Sequence, residues 1–112
     1  MKTHRYSLAL MVLLLASCAS LGVPSPTTFN QRALLAKESV AGAVALSTTL
    51  LNAHKISSAD SENVQKQADN AMEAVNIASS IRSTAPGASE EKLQSAETIL
   101  KALQAYLKAR QS

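Results

Sequence analysis

Cys18 is the only cysteine in this 112-residue sequence, and its neighbours set the chemistry open to it. A lone thiol cannot close an intramolecular disulfide, but as a thiolate it is a strong nucleophile. Ahead of it lies Leu8-Ala9-Leu10-Met11-Val12-Leu13-Leu14-Leu15-Ala16, an unbroken apolar run, with the basic residues Lys2 and Arg5 before that. This order of basic residues, apolar run and small residues is the layout of a secretory signal. The run is too short to span about 30 Å of hydrocarbon as a permanent helix, which takes about 20 residues. Residues 1–17 are therefore expected to be removed, with the cut between Ser17 and Cys18.

The tetrapeptide Leu15-Ala16-Ser17-Cys18 resembles the lipobox of bacterial prolipoproteins: an aliphatic residue, two small residues, then cysteine. The resemblance implies that the thiol receives a diacylglyceryl group. A dedicated signal peptidase then cuts before the cysteine, and the freed amine is acylated with a chain of the palmitate type. Each buried CH₂ contributes about 0.8 kcal/mol, and two or more long chains hold a protein stably on a membrane. In enterobacteria-like systems an Asp after the cysteine retains the protein at the inner membrane. Ala19 stands there instead, which favours an outer-membrane address with the domain facing the periplasm.

Little other chemistry is on offer. His4 would leave with the signal, so His54 would be the only histidine of the mature chain. No His, Cys and carboxylate spacing reads as a zinc site, no Ser-His-Asp set can be assembled, and there is no Gly-rich phosphate loop. Glu90 and Glu91 are adjacent carboxylates, better read as the solvated first turn of a helix than as an acid–base pair. Phe29 and Tyr106 are the only aromatics after residue 18, too few for stacking on single-stranded nucleic acid. The net charge of +3 shrinks once Lys2 and Arg5 are gone, so a polyanion is not implied. The expectation is a protein that is not an enzyme, with no cofactor, no metal and no nucleic-acid partner.

The elements that would carry any surface are helical. The composition is rich in Ala, Ser, Leu and Gln and poor in aromatics, which favours helix over sheet. Residues 18–27 contain Gly22, Pro24 and Pro26 and read as a tether. About nine such residues reach roughly 30 Å when extended. Three helices are expected over residues 28–112, at about 28–54, 58–83 and 89–110. The first starts with a Thr28…Gln31 capping box. Its apolar face is drawn by Leu35, Ser39, Gly42 or Ala43, Leu46, Leu50 and Ala53, widened by Val40, Val44 and Leu51. Ser39–Ala53 is uncharged but reads as a buried core helix, too short to cross a membrane. The second starts near Ser57 or Ser58, with Asp60 and Glu62 suiting the helix dipole. It carries the seam Val64, Ala68, Ala71, Val75 and Ala78, with Met72 and Ile81 beside it. The third is expected to be capped by Ser89 and to bury Leu93, Ala96, Leu100, Leu103 and Leu107, with Ile99 and Tyr106 alongside. Short connections make such helices antiparallel neighbours. The fold class is all-α: an up-down-up three-helix bundle, monomeric, with an oligomerising hairpin as the competitor.

Two polar faces are candidate partner surfaces: Gln65, Lys66, Asp69, Asn70, Glu73 and Asn76 on the second helix, and Gln94, Lys101, Gln104 and Lys108 on the third. For any one of these residues, ordinary mixed-charge solvation is the preferred explanation. The stretches Ile56-Ser57-Ser58-Ala59-Asp60, Val64-Gln65-Lys66-Gln67-Ala68-Asp69-Asn70-Ala71 and Leu100-Lys101-Ala102-Leu103-Gln104-Ala105-Tyr106-Leu107 are similar to small helical proteins carried by phages and prophages. That resemblance implies a prophage-borne envelope lipoprotein that binds an envelope protein or an incoming phage component, as in superinfection exclusion. A structural lipoprotein forming a helical oligomer, like the major murein lipoprotein, is one alternative. It is weakened by the break at Pro86-Gly87 and by the ending Ala109-Arg110-Gln111-Ser112, which lacks the terminal Lys that family joins to peptidoglycan. A phage lysis accessory, like the outer spanin lipoproteins, is another. It is weakened because Pro is confined to the tether and one turn.

Overall fold

A computed structural model describes residues 28–111. They form three helices: α1 (Phe29–Asn52), α2 (Ser58–Ser80) and α3 (Pro86–Arg110). All three pairs of helices pack against one another, so the fold is the all-α bundle expected. Contacts fix the directions. Ser47 near the end of α1 meets Ser61 at the start of α2. Ser89 at the start of α3 meets Ala78 near the end of α2. Arg32 near the start of α1 meets Glu90 and Glu97 in the first half of α3. Thus α2 runs antiparallel to both neighbours, and α1 and α3 run parallel.

Local chemistry sets the helix ends. The Thr28 hydroxyl accepts from the Gln31 N–H at 3.2 Å, so half of the expected capping box forms at α1. At α2 the box is complete. The Ser57 hydroxyl accepts from the Asp60 N–H and the Asp60 carboxylate accepts from the Ser57 N–H, both at 3.1 Å. Losing such a cap costs about 1 kcal/mol. The Ser57 amide, and then its hydroxyl, hold the Asp60 carboxyl below its usual range. α1 ends at Asn52, two residues earlier than expected, because His54 turns to φ 57°. The His54 N–H then donates to the Leu51 carbonyl at 3.0 Å and the Lys55 N–H to the Leu50 carbonyl at 2.9 Å. That pattern is a Schellman cap.

α3 corrects the expectation for its start. It begins at Pro86, with Ala85 as a cap that offers no side-chain bond. Proline suits the first helical position, where its missing N–H would be unpaired anyway and its φ is already helical. Ser89 is therefore inside the helix and fully buried, its hydroxyl donating to the Ala78 carbonyl at 2.6 Å. α2 also stops at Ser80 rather than 83, and residues 81–84 form the turn.

The core is uneven. α3 contributes its large side chains: Leu93, Leu100, Leu103 and Leu107 are buried. α2 buries Val64, Ala68, Ala71, Val75 and Ala78, as its seam predicted, and α1 buries Phe29, Ala33, Ala36, Val40, Ala43, Ser47 and Leu50. Alanine rows let backbones approach closely, so α3 leucines fill the space that small side chains leave. The buried face of α1 is rotated from the expected one. Leu35 is 45% exposed while Ala33 and Ala36 are buried, because the small residues fit where the neighbouring helices come nearest.

Candidate functional site

Cys18, Ser17, the expected tether at 18–27 and the expected secretory signal at 1–17 lie outside the described residues. The site that the sequence names most clearly is therefore one that the fold approaches from Thr28 onward, without containing it.

Within the bundle, the densest charged constellation is one the sequence reading missed. Arg32 reaches from α1 to two carboxylates of α3. Its Nη1 lies 2.6 Å from Glu90 Oε1, its Nη2 2.5 Å from Glu97 Oε1, and its Nε 3.1 Å from Glu97 Oε2. The Glu97 contact is the bidentate fork that guanidinium geometry favours. Arginine so placed is held more firmly protonated, first by the hydrogen bonds to Glu97 and then by those to Glu90. The hydrogen bond from Arg32 in turn holds the Glu90 carboxyl below its usual range. Glu90 thus lies in the second turn of α3 rather than the first, half-exposed and bound by Arg32, and Glu91 is exposed beside it. A sequence signal existed. Glu90 and Glu97 are seven residues apart, on one face of α3, flanking the buried Leu93.

Arg82 lies over the Phe29 ring at 4.4 Å from its centroid. This closes the same end of the molecule, since it joins the residues after α2 to the first residue of α1. The only described histidine, His54, sits at the opposite end as a helix-terminating residue. Among the described residues, no group of three or more His, Cys, Asp and Glu could hold a metal ion.

The two polar faces are where the periodicity placed them. Gln65, Lys66, Asp69, Asn70, Glu73 and Asn76 are exposed on α2, and Gln94, Lys101, Gln104 and Lys108 are exposed on α3. A wide, open trough runs along α2 between Asp69 and Ser80, floored by Met72 and Ile77. Its other lining residues, Asp69, Glu73, Asn76 and Ser80, are polar.

α1 has a further property. It is long and apolar enough to cross a membrane by length and composition, with mean hydropathy 1.3 over its most apolar window. The uncharged stretch Ser39–Ala53 is thus part of a 24-residue helix, and length alone does not argue against a span as expected from the stretch itself. Core helices pass the same test. Here Ser47 is fully buried against Ser61, and Arg32 is tied to α3.

No known family pattern, curated protein or solved structure matches this chain.

Proposed function

We propose that this chain is a bacterial prolipoprotein whose mature form begins at a lipidated Cys18 and presents a non-enzymatic helical interaction module in the cell envelope. The observation that carries the reading is Leu15-Ala16-Ser17-Cys18 directly after a basic segment and an apolar run. Each part has its own chemical purpose: export, peptidase access and a nucleophilic thiol. The bundle is consistent with a module that binds. Its most organised charged cluster is a clasp between helices, whereas the outer faces of α2 and α3 are polar and open. Ala19 favours the outer membrane, with the bundle in the periplasm. The partner is an envelope protein or, following the likeness to prophage-borne proteins, a component of an incoming phage.

The test is intact mass and fractionation of the wild type and of Cys18→Ala, expressed in a bacterial host. The wild type should be membrane-bound, start at residue 18 and carry the added mass of lipid, and the variant should lose all three properties. A soluble wild type cut elsewhere, with a free thiol, would overturn the reading.

A further inference from the structure

The two ends of the bundle differ in a way that the polar faces do not. One end gathers the start of α1, the end of α2 and the start of α3. Its tip presents Thr28, Asn30, Gln31, Ser83, Thr84 and Ala88, with one charge among them, the exposed Arg82 over the Phe29 ring. The opposite end carries Lys55, Asp60, Lys108 and Arg110. Around this end sit the large apolar side chains left exposed among the described residues: Leu34 at 59%, Leu35 at 45% and Ile77 at 36%. Leu34 is the sixth residue of α1, about 7.5 Å along the axis from Phe29. The nearest charges are already engaged, Arg32 with Glu90 and Glu97 and Arg82 over Phe29. Lys37, Glu38, Glu91 and Lys92 lie at or beyond the level of Leu34, as adjacent pairs of opposite sign.

We propose that this end, with its collar of Leu34, Leu35 and Ile77, docks end-on into the headgroup layer of a lipid bilayer. The inference rests on the lipid-anchor reading above. It commits to lipid because of where the chain enters. Only residues 19–27 separate Cys18 from Thr28, and Thr28 belongs to this end. Docking that brings the collar to the headgroup boundary carries the tip of the bundle about 7.5 Å deeper, within the roughly 5–10 Å that interfacial helices reach. With no free basic cluster there, docking is apolar and insensitive to salt. A tethered domain already confined near the surface needs only a few such side chains, because the anchor supplies the effective concentration.

The test uses the full chain, purified from bacterial membranes and reconstituted into vesicles of phosphatidylethanolamine and phosphatidylglycerol. Spin labels are placed at Leu34→Cys, Ala88→Cys and Lys108→Cys, in separate proteins. Labels at 34 and 88 should relax with dissolved oxygen, and the label at 108 with a water-soluble nickel chelate. Leu35→Glu should shift the label at 88 toward the chelate, reducing docked protein about tenfold, with helix content unchanged because Leu35 is exposed. A lipidated chain whose three labels all face the chelate overturns docking and leaves the anchor standing. Dipolar broadening between labels at 34 would assign the collar to a second copy and also overturn it. Intact mass on the same preparation reads the anchor separately: a chain without lipid at Cys18 overturns both.

Discussion

At the scale of single residues, the Arg32 cluster makes the stability of the bundle depend on acid. Glu90 has a carboxyl held below its usual range by Arg32. A group depressed in the folded state adds stability above its unfolded value and loses it as pH falls through the folded one. Stability should therefore be level above pH 4.5, the ordinary glutamate value, and fall below it. Asp60 adds to the fall in the same direction through its bond to the Ser57 amide. In Glu90→Gln, thermal unfolding followed by circular dichroism should show a smaller loss between neutral pH and pH 3, with the Asp60 share remaining. Equal losses in the two proteins would remove Glu90 from the account. The sequence signal, an arginine four residues past a helix cap and two glutamates seven apart, is ordinary surface spacing and does not announce the cluster. Only the direction in which α1 and α3 run, parallel and side by side, brings Arg32 level with both.

At the scale of elements, the helix ends divide what was readable from what was not. The start of α2 near Ser57 was legible, with Asp60 in its first turn, although their reciprocal box was not read; the seams of α2 and α3 were legible because their periodicity does not depend on neighbours. The start of α3 was misread. Ser89 has the chemistry of a cap, but Pro86 can begin a helix three residues earlier, and burial then gives the Ser89 hydroxyl a carbonyl of α2 instead. The Schellman end of α1 was unreadable for a related reason: the αL position is occupied by His54, not glycine. An L residue with a β-carbon there carries strain that glycine does not. Replacing His54 by Gly should leave stability unchanged or raise it by up to about 1 kcal/mol, since extra freedom of the unfolded glycine offsets part of the gain. Replacing it by Val should cost about 1 kcal/mol or more, because a β-branched residue tolerates positive φ poorly. Urea unfolding distinguishes the two. If Val proves as stable as Gly, the left-handed cap is not what ends the helix.

At the scale of the whole molecule, the question is which environment claims α1. Its composition suits hydrocarbon, but composition does not record what its polar groups face. In the bundle the Ser47 hydroxyl lies 3.1 Å from the Ser61 hydroxyl, and both side chains are buried. A buried hydroxyl without a partner is costly, so this pair helps fix the register of α1 on α2. Arg32 at the other end is tied to α3. A spanning α1 would leave Ser61 and Glu97 without these partners and would strip the alanine faces of α2 from their cover. The two arrangements separate in a trapping experiment. Ser47→Cys combined with Ser61→Cys places two thiols where the hydroxyls meet, in an oxidising compartment if the chain is exported. The expected result is a disulfide, read as two thiols that resist alkylation until reduced, while Ser47→Cys with Gln104→Cys remains open to the reagent. Two freely alkylated thiols in the first variant, in protein that keeps its helix content, would mean that α1 leaves the bundle, and with it the end-on docking inferred from Leu34 and Leu35 would lose its geometry.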